Sequence, residues 1–216
     1  MICNFVASAD GKATVNGRSG PLGSSDGDRA SFHLLRTQVD AVLAGTETMR
    51  VERYGRMVRE ERLAEIRVGE GREPQPLAVT ISRSGRIPFE IPLFADPESR
   101  VALYAPAEIS APAACVAAVR MHALPDGFVG ELGAVMRSLA DDHGVRSLLL
   151  EGGPVLFGAM LAEDLVDELF LTLAPALAGG AERVLTTGPP LPGPLALELR
   201  WVLERHGHLF LRYARG

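Results

Sequence analysis

The chain has 216 residues, 47% of them apolar and 23% charged, with a net charge of −5. It is long enough to bury a core of its own, and it lacks the overall positive field that draws nucleic acid or an anionic membrane surface. The N-terminus carries no basic leader before a long apolar stretch and no run approaches a membrane span, so the cytoplasm is the expected compartment.

Residues 2–8, ICNFVAS, read as a buried strand, and Asp10-Gly11 and Asn16-Gly17 mark tight turns. Cys3 in that strand and Cys115 later have no metal-ligand spacing and read as reduced, packed thiols. A Gly- and Ser-rich loop runs to Ser25, which with Asp28 resembles a capping box opening a helix with Phe32, Leu35 and Val39 at helical spacing. DAVLAG (40–45) is a short buried strand ending in Gly, and an Arg- and Glu-rich segment of partial helical character follows (47–67). PLAVTIS (76–82), RVALYA (100–105) and CVAAVRM (115–121) read as further strands. Asp126 caps a helix with apolar positions Val129, Leu132, Met136 and Leu139 and with Gly144 just past its end.

VRSLLLE (145–151) is a strand, and Pro154 starts the next helix, with Leu156, Phe157, Met160 and Leu161 facing inward. VDELFLTLAP (166–175), LALELRWVLER (195–205) and HLFLRYA (208–214) are late strands. The last two suit an antiparallel hairpin, with His206 and His208 on one face of it. TGPPLPGP (187–194) reads as a rigid surface loop. Strands alternate with helices and then follow one another. That order predicts a single α/β domain over residues 1–216, with a mostly parallel mixed sheet and an antiparallel C-terminal strand pair.

In parallel sheets, ligands collect at the carboxyl ends of strands. Glu151-Gly152-Gly153-Pro154 ends the most apolar strand and opens a helix. Two residues without a Cβ leave amide N–H groups free at a helix N-terminus, where the helix dipole favours a phosphate; a bare βα turn has the same sequence. Glu151 is a costly way to end an apolar run unless it is paired or at a cleft, where it would accept hydrogen bonds from substrate N–H groups. A solvent-exposed strand end is the alternative. Gly45, Thr46 and Thr48 repeat the logic, as a second cradle or as a plain helix cap by Thr46. Ser82, Arg83, Ser84 and Arg86 follow a strand and suit either a ribose 2′-phosphate or a solvated loop.

Arginines at 50, 53, 56, 59, 62 and 67 interleave with Glu52, Glu60, Glu61 and Glu65, mostly as salt-bridged surface, with one or two reaching a substrate phosphate. The sequence holds no zinc-deaminase pattern, no GxSxG elbow and no Walker A motif. Phosphate cradles without a conspicuous nucleophile or acid–base pair suit hydride transfer, in which a cofactor carries the chemistry.

Three blocks in order, SADGKATVNGRSGPLGSS, LLRTQVDAVLAGTETMRVERYG and LLLEGGPVLFGAML, resemble the SxDGK, helix–strand–GxxT and EGG blocks of the RibD C-terminal domain family. That family includes the reductase domain of bacterial riboflavin biosynthesis, and the likeness spans nearly the whole chain. It implies a dihydrofolate reductase-like, three-layer α/β/α fold, NADPH as cofactor, a small-molecule substrate and a homodimer, with no metal. Family members reduce the ribosyl group of a 5-amino-6-ribosylamino-uracil 5′-phosphate to a ribityl group. By position, the family's cofactor contacts fall on Gly45, Thr46, Thr48, Glu52, Ser82 and Arg83, and on the run Gly152, Gly153, Pro154, Val155, Leu156 and Phe157, reaching Ala159. Its substrate contacts fall on Asn4, Lys12, Arg36, Arg59 and Glu151, with Glu151 and Asp10 expected at the reacting centre.

The chain also departs from that pattern. The pathway enzymes commonly carry ADDP after the GxxT block, where this chain has VERYG, and a Trp-Ile-Ser/Thr stretch before the first helix, where it has PLGSS. No deaminase half is expected. These departures point to a standalone, reductase-like branch. They leave reduction of a pterin such as dihydrofolate as a competing reading, and the absence of a clear general acid leaves another, nucleotide binding without redox chemistry.

Overall fold

In the computed structural model, which describes residues 1–23, 25–106, 109–124 and 131–216, the predicted apolar runs are strands. In chain order the first elements are β1 (Ile2–Ser8), α1 (Asp26–Gln38), β2 (Ala41–Leu43), α2 (Thr46–Val51), α3 (Glu61–Gly69) and β3 (Leu77–Ile81). A 3-10 turn (Pro92–Ala95), β4 (Arg100–Ala105), β5 (Ala118–Ala123), α4 (Leu132–His143) and β6 (Leu148–Leu150) follow. The chain closes with α5 (Pro154–Ala162), β7 (Glu168–Ala174), β8 (Leu197–Arg205) and β9 (His208–Arg215). Packing divides it into two units, Met1–Phe32 with Leu150–Gly216, and His33–Leu149.

In the first unit β1 runs parallel to β7, from Ile2 opposite Glu168 to Ser8 opposite Ala174. β9 is antiparallel to both β7 and β8. The β8–β9 link is His206-Gly207, with φ of 52° and 79°, the backbone that lets a two-residue hairpin follow strand twist. His206 therefore sits in the turn and does not share a strand face with His208. α5 packs on β1, with the Phe5 and Phe157 ring centroids 4.5 Å apart. A Cβ at Gly158 would lie 2.3 Å from the Thr187 carbonyl oxygen, and the Thr187 amide donates to the Pro154 carbonyl at 3.0 Å. The Pro-rich loop is exposed along most of its length, as expected, but its first residue is anchored against α5.

In the second unit the strand order is β5-β4-β3-β2-β6, and β2 to β5 are all parallel. β2 and β3 are buried at every residue and β4 at all but Arg100, as continuous apolar runs covered on both faces should be. β5 starts three residues later than the apolar pattern suggests because the amides of Val116 and Ala117 donate to the Phe94 carbonyl instead. β6 is shorter than predicted because the Asp40 carboxylate takes the amides of Arg146 and Ser147, at 2.9 and 2.8 Å. α4 buries Leu132, Val135 and Leu139, and Gly144 ends it at φ 68°. Asp126 and Val129, predicted to open that helix, lie outside the described residues.

The largest departure from expectation is Arg67, grouped by sequence with the solvated arginines but only 1% exposed. Its Nη1 donates to the carbonyls of Arg36, Thr37 and Val39 at 3.0, 2.9 and 2.7 Å, and its Nε to that of Glu73 at 2.8 Å. The first three lie at and just past the end of α1, where no further helical turn supplies donors. Burial lowers the guanidinium pKa to about 10, so it stays charged at neutral pH. Arg67→Met leaves these acceptors without their donor and is expected to cost about 3 kcal/mol, read by urea unfolding. Arg67→Lys should recover only part of that, because an ammonium lacks the planar fork that reaches several carbonyls.

Candidate active site

β1 ends at Ser8, and the chain turns back at once. Ser8 Oγ donates to Asp10 Oδ1 at 2.5 Å, and the amides of Ala178 and Gly179 donate to Oδ1 and Oδ2 at 3.0 and 2.8 Å. The Ser8 hydroxyl, then those two amides, hold the Asp10 carboxyl well below the usual carboxylate range. Glu182, which the sequence reading passed over, does the same work nearby. It accepts from the Thr14 hydroxyl at 2.6 Å and from the amides of Asn16 and Gly17 at 2.9 and 3.2 Å, and these donors lower its pKa, the Thr14 hydroxyl most. Two carboxylates thus staple the 178–182 segment to the loop after β1. The Lys12 amide donates to Ser8 Oγ at 2.9 Å, and its ammonium adds to the field that holds Glu182 ionised. Asn4 is half-buried in the middle of β1, opposite Phe170.

Glu151 is buried at the end of β6, only 9% exposed. Gly152 and Gly153 follow with φ of 146° and 90°, a region that side chains with a Cβ rarely enter. Gly153 is the N-cap of α5, Pro154 sits in the first turn, and no side chain caps the helix start. Among the described residues the amides of that first turn therefore have no intrahelical or side-chain acceptor, and an anion is their natural complement. Phe157 differs from its neighbours: its amide donates to the Gly153 carbonyl at 2.9 Å and its ring packs on Phe5, so it anchors the helix. Val155 is exposed and Leu156 half-buried. Asp28, read only as a cap, keeps its amide on Ser25 Oγ at 3.1 Å. Burial raises its carboxyl pKa, against the lowering effect of a hydrogen bond to Thr172.

In the second unit, Gly45 is the N-cap of α2 and no side chain caps the helix, so Thr46 is not the plain cap its sequence allows. Thr46 and Thr48 are half-buried on that helix, and Glu52 closes it. Ser82 is buried after β3; its amide donates to the Tyr104 carbonyl at 2.8 Å and its hydroxyl to the Arg86 carbonyl at 3.1 Å. Ser82 thereby shapes the turn, with Gly85 at φ 72°, and leaves Arg83 and Arg86 exposed on it.

The arginines separate by environment. Arg50 pairs with Glu47, and Arg56 with Asp96 and Glu98. Arg36 is buried, donates Nη1 to the Met57 carbonyl at 3.0 Å and lies 5.3 Å over the Tyr54 ring. Arg53, Arg59 and Arg62 are exposed, and their guanidinium groups have no hydrogen bond or ion pair among the described residues. His122 and His143, invisible as a pair in sequence, bring their Nε2 atoms to 2.8 Å. Among the described residues no group of three or more His, Cys, Asp or Glu is arranged to hold a metal, and no helix is long and apolar enough to cross a membrane.

The RibD C-terminal domain profile matches residues 1–208. The chain belongs to that family. This RibD C-terminal domain protein is 31% identical over 185 residues to the 2,5-diamino-6-ribosylamino-4(3H)-pyrimidinone 5′-phosphate reductase of Archaeoglobus fulgidus, covering 84% of this chain and 83% of that one. It is 30% identical over 199 residues to the reductase of the same name from Methanothermobacter thermautotrophicus, covering 87% of this chain and 83% of that one. Among solved structures, a pyrimidine reductase-like protein from Corynebacterium diphtheriae superposes with a TM-score of 0.86 at 26% identity, covering 100% of this chain and 91% of the other. The α/β fold, with its large and mostly parallel sheet, is the fold of these reductases.

The Asp10 staple has a pH signature. Its carboxyl is depressed in the folded state, so the stability it contributes is present above the ordinary carboxylate value and is lost as pH falls through the depressed one. The Asp10 carboxylate carbon is expected to titrate below the ordinary carboxylate range by NMR, and Ser8→Ala to move that midpoint up. A midpoint indifferent to Ser8→Ala would contradict the arrangement.

Proposed function

We propose that this RibD C-terminal domain protein is an NADPH-dependent reductase of a ribosylaminopyrimidine 5′-phosphate in riboflavin biosynthesis, converting the ribosylamino group to ribitylamino. The observation that carries the reading is the uncapped start of α5 behind Gly152 and Gly153, both at positive φ. Such a start suits a cofactor diphosphate, because first-turn amides lack a helical acceptor and the two glycines bring no Cβ of their own. Exposed Arg83 and Arg86 on the Ser82 turn suit the 2′-phosphate that distinguishes NADPH from NADH. The archaeal relatives support a substrate with a 2-amino ring, since both are named for the 2,5-diamino compound and match over more than four-fifths of their lengths.

The dihydronicotinamide supplies the hydride. The chain's own residues bind and orient. In the first unit Gly152 to Leu156 would hold the cofactor diphosphate, and Phe157 anchors the helix that presents the cradle; in the second unit the family likeness assigns cofactor contacts to Gly45, Thr46, Thr48, Glu52, Ser82 and Arg83. Glu151 accepts hydrogen bonds from the amino or ring N–H groups of the pyrimidine. In the first unit Asn4 and Lys12 are the further candidates for polar contact with the substrate, and in the second unit Arg36 and Arg59 are the candidates for its 5′-phosphate. Asp10 holds the 178–179 loop in place and, being ionised, donates no proton at neutral pH. Orientation accounts for most of the rate in such a site. The family likeness also supports a homodimer.

The test is titration with NADPH and NADH, followed by consumption assays with the 2,5-diamino pyrimidine, its uracil counterpart and dihydrofolate. NADPH is expected to bind more tightly, and the diamino compound to be turned over fastest. Preferential turnover of dihydrofolate, or NADPH bound but consumed with none of the three, would overturn the reading. Glu151→Gln should lower kcat/KM for the pyrimidine by about a hundredfold with NADPH affinity nearly unchanged, and Gly153→Val should do the reverse.

A further inference from the structure

The segment before Arg59 is held by hydrogen bonds to residues remote in sequence. The Tyr54 amide donates to the Met49 carbonyl at 3.0 Å, and the Tyr54 carbonyl accepts from the Leu93 amide at 2.9 Å. The Met57 carbonyl accepts from Arg36. At Val58 both backbone groups are taken by one side chain: Gln75 Oε1 accepts from the Val58 amide at 2.9 Å, and Gln75 Nε2 donates to the Val58 carbonyl at 2.8 Å. Gln75 is 5% exposed and Val58 2%. A primary amide is suited to this task because it offers a donor and an acceptor side by side, as the backbone of a neighbouring strand would. The next residue, Arg59, is exposed, and its guanidinium has no partner among the described residues.

From this geometry we infer that Gln75 is a positioning residue for Arg59. By clamping Val58 it fixes where the Arg59 side chain leaves the backbone, so that the guanidinium meets the 5′-phosphate of the substrate without first ordering the loop. The inference rests on the reading of Arg59 as a phosphate ligand given above. The physical basis is pre-organisation. A long, rotamer-rich side chain on an unfixed backbone loses more freedom on binding, and a guanidinium displaced by an ångström loses its paired hydrogen bonds. Gln75 itself touches no substrate in this scheme. Its effect should therefore show only with substrates that carry the phosphate.

The test compares Gln75→Met, Arg59→Ala and the double variant, each assayed by NADPH consumption with the phosphorylated pyrimidine and with its dephosphorylated nucleoside. Gln75→Met is expected to raise KM for the phosphorylated substrate about tenfold while kcat changes little, and to leave kcat/KM for the nucleoside unchanged. Arg59→Ala should raise KM for the phosphorylated substrate at least as much, and the double variant no further, because the two residues act as one. Should Gln75→Met fail to fold, Gln75→Glu keeps the volume and the acceptor for the Val58 amide but loses the donor to its carbonyl, and the same KM pattern is expected. The inference is overturned if the Gln75 variants affect both substrates alike, leave both unaffected, or add fully to Arg59→Ala. If Arg59→Ala itself leaves KM for the phosphorylated substrate unchanged, the underlying role of Arg59 is wrong and the inference falls with it.

Discussion

One buried guanidinium organises the second unit. Arg67 gathers three carbonyls at the end of α1, and one of them belongs to Arg36, whose own guanidinium crosses to the Met57 carbonyl. Met57 adjoins Val58, which Gln75 holds by both backbone groups, and Val58 adjoins Arg59. A run of charge-assisted and amide hydrogen bonds thus leads from the α1 terminus to an exposed arginine. Each step satisfies backbone groups that burial would otherwise leave unpaired, at a cost of about 1–3 kcal/mol apiece. The arrangement shows how a segment with little regular structure has its buried backbone groups satisfied. It also explains why the arginines of one short segment have such different surroundings.

The first unit solves a similar problem with the opposite charge. Asp10 and Glu182 each gather three donors, so two carboxylates tie the loop after β1 to the loop after β7. Both are held ionised by the bonds they accept. An acid in that state fixes geometry and cannot serve as a proton donor near neutral pH. Hydride transfer tolerates this, since the cofactor carries the reducing equivalents and the protein's main contribution is placement.

Much of this fold was legible because its strands are local apolar runs. ICNFVAS, LAVTI and RVALYA could be read without their neighbours. The limits of β5 and β6 were not, because distant groups set them: the Phe94 carbonyl captures Val116 and Ala117, and Asp40 captures Arg146 and Ser147. Gln75, Arg67 and Glu182 were missed for the same reason. Each is an ordinary polar residue in its own segment, and each owes its role to a partner remote in sequence. Gly158 was legible as a residue but not as a constraint until Thr187 was seen lying against it.

The contrast between Glu151-Gly152-Gly153, proposed as a cofactor cradle, and Arg59, proposed as a phosphate ligand, follows from how each would bind. A cradle of backbone amides needs only that nothing obstruct it, so its requirement is written locally, as glycines at positive φ before a helix. A phosphate-binding arginine needs a fixed point of departure, and that requirement is written elsewhere, in whichever side chains clamp its backbone. Cofactor cradles should therefore be found from sequence more readily than substrate-binding cations. The same difference predicts how each tolerates change. On the proposed reading the cradle would resist substitution at the glycines themselves, whereas the cation would also be vulnerable at Gln75, which is proposed to act without touching a ligand.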